Sequence, residues 1–227
     1  MLNVIAIDGP AASGKTTLAK LLSAELGYLF FDTGVMYRAV TLAALKARVP
    51  VTDEAACAKL AAEVEIEVRP PSRDDGRSND VVIDGIDSTW EIVSPEVVAH
   101  VSEISANPGV RQALSAKQRE IGLRGAVVMV GRDIGTVVLP EAPVKIFLNA
   151  SAEERARRRY LERTARGENP DYDELLQGIR KRDLIDSTRP VAPLKPAEDA
   201  YILDSDGKDI QAVFEEALDL VRQRISE

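Results

Sequence analysis

Gly9-Pro10-Ala11-Ala12-Ser13-Gly14-Lys15-Thr16 is the stretch on which the reading of this chain turns. It matches G-x-x-x-x-G-K-[ST], the pattern of a phosphate-cradling loop, or P-loop. Before it, Val4-Ile5-Ala6-Ile7 has the length and β-branched content of a strand; after it, Leu18, Leu21, Leu22 and Leu26 recur at helical spacing. Strand, loop and helix therefore follow in the order the pattern needs. The two glycines let successive backbone N–H groups turn inward toward phosphate oxygens, and a helix beginning near Lys15 adds the positive end of its dipole. Lys15 is then a cation for the β- and γ-phosphates, and Thr16 a hydroxyl ligand for Mg²⁺.

The 227 residues suffice for one large domain with an inserted module. A formal charge of −8 argues against a general nucleic-acid binder, so any anionic ligand has to be met by local arginines. A single Cys57 permits no internal disulfide, and a start of Met1-Leu2-Asn3 running directly into a strand suggests neither signal peptide nor membrane partner, hence a cytoplasmic protein. His100, the one histidine, sits in a helical stretch and reads as structural, which disfavours a histidine base or a histidine-rich metal site. Cys57 reads as a small packed side chain.

Further along, Gly27 is a good helix C-cap and Tyr28-Leu29-Phe30-Phe31 a short strand ending at Asp32-Thr33-Gly34, with a helix expected from about 35 to 47. Polar residues at the C-terminal end of a strand lie where an open α/β sheet binds ligands, so Asp32, Thr33 and, one turn later, Arg38 are candidates. A helix over about 53–62 precedes Val64, Ile66 and Val68, which alternate with charged residues as a half-exposed strand does. Residues 70–78 read as a mobile loop, and Val81-Val82-Ile83 meets the hairpin signal Asp84-Gly85. Residues 63–92 thus form an antiparallel insert. After two helices, about 95–106 and 110–124, the apolar run 126–130 is a central parallel strand delivering Gly131-Arg132-Asp133 at its end.

Val144 to Leu148 is a further parallel strand, and Ser151 with Glu154 reads as a capping box. The helix it opens holds Arg155, Arg157, Arg158, Arg159, Arg163 and Arg166; pairs such as Glu153 with Arg157 account for some, and phosphate clamping by at least one is expected. A helix over about 172–186 brings Arg182 and Asp186 onto one face and leads to Arg189, a plain ion pair four residues apart being the alternative. The chain closes with a strand at 201–203 and a helix over about 210–224.

Four blocks together, residues 9–16, D-T-G-V-M-Y-R at 32–38, G-R-D-I-G-T-V-V at 131–138 and R-D-L-I-D-S-T-R-P-V-A-P-L at 182–194, resemble the bacterial cytidylate kinase family. The first two are shared with other nucleoside monophosphate kinases; the last two and the insert point to the cytidylate branch. The resemblance implies an α/β P-loop kinase fold, with five parallel strands flanked by helices. It also implies a single domain: a core at about 1–62 and 93–227, a monophosphate-binding β insert at about 63–92, and an arginine-bearing lid at about 155–170. It implies ATP with Mg²⁺ as phosphoryl donor, CMP or dCMP as acceptor, and a monomer without nucleic-acid or membrane partners. Gly9, Pro10, Ala11, Ala12, Ser13, Gly14, Lys15, Thr16 and Thr17 would bind ATP. Thr33, Arg38, Arg132 and Arg189 would hold the acceptor phosphate, with Asp32 beside them. Ser102, Arg111 and Asp133 would read cytosine, and Arg182 and Asp186 would hold the ribose. Lys15, Arg132 and Arg189, with Arg158 and Arg159 from the lid, would act in catalysis.

The remaining alternatives are a P-loop kinase for UMP or for another small acceptor such as shikimate, and a non-catalytic P-loop switch. A GTPase would carry a guanine-reading N-K-x-D motif, and none occurs here.

Overall fold

A computed structural model describes residues 3–225. In chain order its elements are β1 Val4–Asp8, α1 Lys15–Leu26, β2 Leu29–Asp32, α2 Gly34–Lys46, α3 Glu54–Glu63, β3 Ile66–Arg69, β4 Asp80–Ile83 and β5 Ile86–Asp87. Then follow α4 Pro95–Ala106, α5 Pro108–Leu123, β6 Val127–Gly131, β7 Val144–Asn149, α6 Ala152–Ala165, α7 Tyr172–Thr188, β8 Tyr201–Asp204 and α8 Ile210–Ile225. Five strands form a parallel sheet ordered β2-β6-β1-β7-β8, and β3-β4-β5 form a small antiparallel sheet, the P-loop kinase architecture that the family resemblance implies.

The chain divides into two compact units. One contains the described residues up to Tyr28 and those from Val128 onward; the other is Leu29–Val127. In the first, β1 is buried along its whole length, which explains its unbroken apolar run. It pairs in parallel with β7, Ile5 opposite Val144 and Asp8 opposite Phe147, and β7 pairs with β8 from Ile146–Tyr201 to Asn149–Asp204. In the second, β3 and β4 run antiparallel with Ile66 opposite Ile83, and Asp84 and Gly85 both take the positive φ of a tight hairpin turn.

Local sequence chemistry sets most helix ends. Gly27 closes α1 in the left-handed conformation, its N–H donating to the Ser23 carbonyl. Ser94 and Asn107 cap α4 and α5, each followed by proline at the first helical position. Ser151 accepts from the Glu154 N–H as expected, but the reciprocal half of the box is absent. Asp206 takes the Ser151 N–H at 2.9 Å, and the Glu154 carboxylate turns instead to Arg157 and Arg158. Glu153 pairs with Arg180 rather than Arg157, because the neighbouring helix α7 supplies a cation from outside the local repeat.

The loop at 70–78 differs from its sequence reading. It folds round the Arg77 guanidinium, whose side chain is 2% exposed and meets Asp75 and Asp80 at 2.8 Å and Asp87 at 3.0 Å. Asp75 belongs to the loop itself and Asp80 opens β4, while the hairpin turn returns Asp87 of β5 to the arginine.

The tightest constraint in the first unit lies where β1 leaves for the loop. Gly9 has φ +150°, and a Cβ built on it would lie 2.2 Å from the Leu148 carbonyl oxygen of β7. Gly14 has φ +95° but its nearest neighbour would be 3.9 Å away. Gly9→Ala is therefore expected to cost about 3 kcal/mol or more, since backbone has to move, and Gly14→Ala about 1–2 kcal/mol of conformational strain. Urea unfolding of both variants checks this; equal losses would remove the Leu148 approach as the governing constraint.

Candidate functional site

The loop between β1 and α1 is built to receive anions. Gly14 is the N-cap of α1 without a side-chain cap, and the first turn holds no acidic residue, so no carboxylate competes for its N–H groups. Lys15 is buried, its Nζ donating to the Pro10 carbonyl at 2.6 Å and lying 3.4 Å from Ser13 Oγ, while Thr16 and Thr17 are exposed. Ala12 takes φ +62°, the left-handed bend that turns the loop back on itself. Against its outer side lies a cavity of about 190 Å³, lined among others by Gly14, Thr17, Leu148, Arg158, Ser205 and Lys208.

The second ligand edge of the same unit follows β6. Asp8, the last residue of β1, is buried and accepts from the backbone N–H groups of Ile134 and Gly135, both at 2.8 Å. It thereby fixes a single π-helical turn, Ile134–Val138, directly after Arg132 and Asp133. Burial, the largest influence, together with the nearby Asp133 charge pushes the Asp8 carboxyl up to about 6, against the pull of the two N–H groups and of Lys15.

Around Asp186 the guanidiniums gather. Its Oδ2 is 2.8 Å from Arg132 Nε and 3.2 Å from Arg182 Nε, and its Oδ1 lies 3.8 Å from Arg189. Arg189 also reaches Asp133 at 3.6 Å and donates through Nε to the Ala192 carbonyl at 2.6 Å. Burial opposes ionisation of Asp186, but the charges of Arg132, Arg182 and Arg189 outweigh it and hold the carboxyl below its ordinary range. Three guanidiniums thus gather about the carboxylates of Asp186 and Asp133. The ion pair between Arg182 and Asp186 is therefore one edge of a larger network.

The other unit carries its own share of the predicted residues. Asp32 Oδ1 accepts from the Gly34 N–H at 2.9 Å and so supports the start of α2, with Thr33 buried as N-cap. Arg38 is half-buried on that helix and makes no hydrogen bond or ion pair with any described residue. Arg111, 2% exposed, lies with its guanidinium carbon 5.5 Å from the centre of the Tyr37 ring and donates to the Ser105 carbonyl at 3.1 Å. Ser102 is half-buried one turn before Ser105 on α4.

The family whose model matches, described as Cytidylate kinase, spans residues 5–223. This chain belongs to the cytidylate kinase family. Cytidylate kinase from Herpetosiphon aurantiacus is 48% identical over 219 residues, covering 96% of this chain and 94% of that protein. The Bacillus subtilis cytidylate kinase is 45% identical over 220 residues, covering 97% and 96%. An uncharacterized protein from Eubacterium ventriosum shares the fold, with a TM-score of 0.52 at 13% identity over 99% of this chain and all of that one.

Within this cytidylate kinase chain the arginines of α6 are not equivalent. Arg157 pairs with Glu154 at 2.8 Å, Arg163 with Glu168 at 2.5 Å, and Arg166 with Glu162. Arg158 contacts Glu154 at 2.8 Å and the Ser205 carbonyl at 2.5 Å, which ties α6 to the turn after β8. Arg159 is exposed and has no hydrogen bond or ion pair with any described residue. Sequence reasoning missed Asp8, although its place at the end of a buried strand just before Gly9 was a usable signal. It also missed Ser205 and Lys208, which nothing in their local sequence marks.

Asp8 generates a pH prediction. Its folded pKa of about 6 lies above the ordinary aspartate value of 3.8, so its contribution to stability is full below about pH 4 and is lost as pH rises through 6. That gap corresponds to about 3 kcal/mol. Relative to Asp8→Asn, the wild type should gain stability as pH falls from 7 to 4 in urea unfolding. A difference that stays flat or shrinks over that range would contradict the burial penalty.

Proposed function

We propose that this chain transfers the γ-phosphoryl group of ATP to CMP or dCMP, giving ADP and CDP or dCDP, as a cytoplasmic monomer. The observation that carries the reading is the positive charge of Arg132, Arg182 and Arg189, gathered about the buried Asp186 and Asp133 in the unit that also bears the phosphate-cradling loop. A phosphate-bearing acceptor calls for such a charge.

In this reading the loop from Gly9 to Thr17 takes the ATP phosphates, and the cavity beside Thr17 and Lys208 takes the donor nucleoside. Lys15 neutralises the transferred group. Magnesium would be held by the exposed Thr16 hydroxyl with phosphates and water, and would supply further charge neutralisation. Thr33, Arg38, Arg132 and Arg189 are assigned to the acceptor phosphate, with Asp32 ordering the turn that carries Thr33. Ser102, Arg111 and Asp133 are assigned to the base, and Arg182 and Asp186 to the ribose. Arg159 is the lid residue free to meet the transferred phosphate, whereas Arg158 is engaged with Ser205. The attacking atom is an oxygen of the acceptor phosphate, largely ionised near pH 7 because its second pKa is about 6. No protein base is needed, and catalysis consists of positioning and charge neutralisation.

Lys15→Ala should remove most turnover while leaving CMP affinity largely intact, because its charge acts on the transferred group. Near-normal kcat would overturn the loop's role. Base choice provides the decisive experiment. Cytosine presents an amino donor at position 4 and acceptors at N3 and O2, whereas uracil presents an acceptor at position 4 and a donor at N3. Asp133 suits the first pattern, Arg111 suits N3 and O2 of cytosine, and each unpaired buried group costs about 1–3 kcal/mol. CMP should thus be preferred over UMP by on the order of a hundredfold in kcat/KM. Asp133→Asn should narrow the gap, since an amide can present either oxygen or NH₂. A wild type that prefers AMP, or an unchanged CMP:UMP ratio in the variant, would overturn the assignment.

A further inference from the structure

Arg155 does something different from the other arginines of α6. Its side chain is 4% exposed, and its donors are distributed over three segments of one unit. Nη1 and Nη2 grip the Asp183 carboxylate at 2.9 and 2.6 Å in a bidentate pair. Nη1 also donates to the Ala11 carbonyl of the phosphate-cradling loop at 3.1 Å. Nε donates to the Ala150 and Ser151 carbonyls, at 3.0 and 3.2 Å, where β7 passes into α6.

With its donors engaged in this way, the guanidinium faces protein and not ligand. Its partner Asp183 lies on α7, between Arg182 and Asp186, and that helix ends at Thr188 with Arg189 as its C-cap. The loop side of the contact belongs to the donor end and the α7 side to the arginine network. We propose that Arg155 and Asp183 are a positioning pair that holds the backbone of the phosphate-cradling loop in register with α7, and so aligns donor and acceptor for transfer. The proposal rests on the phosphoryl-transfer reading above. A planar fork is suited to this task, because two parallel N–H···O bonds fix orientation as well as distance, which a lysine does not do. A small misalignment of reacting groups can cost on the order of a hundredfold in rate without loss of binding.

The test is steady-state kinetics with ATP and CMP on the full chain for wild type, Asp183→Asn, Arg155→Lys and the double variant, with urea midpoints measured alongside. Asp183→Asn should lower kcat about 10-fold and Arg155→Lys about 100-fold, with both KM values within about threefold of wild type. The double variant should be no slower than Arg155→Lys alone, because the two residues act as one unit. An unchanged kcat for correctly folded variants, losses that multiply in the double variant, or a rise in KM at constant kcat would each overturn the pair's positioning role. Where Arg155→Lys fails to fold, Asp183→Asn decides alone, since its amide keeps the shape of the site: a lowered kcat at constant KM supports the proposal and an unchanged kcat overturns it. Absence of CMP phosphorylation by the wild type would instead overturn the functional reading, and this inference with it.

Discussion

A buried carboxylate at the end of β1 is the contact on which the site in the first unit depends. Asp8 is followed at once by Gly9 and the phosphate-cradling loop, and through Ile134 and Gly135 it fixes the segment after Arg132 and Asp133. One side chain thereby sets both ligand edges relative to the same strand. Its two hydrogen bonds to a charged acceptor contribute about 1.5–3 kcal/mol each, while burying a carboxylate costs several kcal/mol. A pKa pushed up to about 6 indicates that burial wins over the two N–H groups. The arrangement is therefore held at some expense of stability, which is common where position is needed for chemistry.

Gly135 completes that contact. A Cβ there would come within 3.2 Å of the Lys145 side chain and 3.5 Å of Asp8 Oδ2. The aliphatic stem of Lys145 closes the space on one side, while its Nζ pairs with Asp199 at 2.7 Å. The backbone N–H groups of Ile134 and Gly135 reach Asp8 at 2.8 Å each, while the closest approach to a Cβ at 135 would be that of Lys145. The tight turn, the glycine and the buried acid are one packing solution, and it explains why a π-helical turn forms where an apolar sequence, Ile134-Gly135-Thr136-Val137-Val138, would suggest more strand or ordinary helix.

How much of this was legible in the sequence follows from the range of each interaction. The loop at 9–16, the helix caps at Ser94, Asn107 and Gly27, and the hairpin at Asp84-Gly85 depend on residues a few positions apart, and a local pattern exposes them. The central strands β1 and β6 were legible because buried strands are apolar nearly throughout, whereas the five-stranded parallel sheet came from the family resemblance. Asp8 was not legible, since its partners lie 126 and 127 positions away. The fate of the α6 arginines was hidden for the same reason. The local sequence over 155–166 showed a run of arginines, but only the fold shows that Arg155 is taken by Asp183, 28 positions on, and Arg158 by Ser205, 47 positions on. Residues 182, 186 and 189 fell on one helix end by spacing, and the family resemblance alone grouped Arg132 with Arg189; the contact of Arg132 with Asp186 is visible only in the structure.

The carboxylates within the arginine cluster bear on what such a cluster can do. Three guanidiniums alone would repel one another and would be free to turn toward solvent, each keeping several side-chain torsions. Asp186, 1% exposed, removes that freedom, because it meets Arg132 and Arg182 at hydrogen-bonding distance and lies near Arg189. Its charge is secured in return, the three cations outweighing burial. The cost is that Asp186 and Asp133 offset part of the positive charge. What remains is a modest net charge carried by groups whose positions are already fixed, and fixed groups stabilise developing charge without reorganising at the moment of reaction. A cluster with more free charge would bind an anion more tightly in its ground state. That gain would fall on substrate and transition state alike, and only the difference between them accelerates transfer.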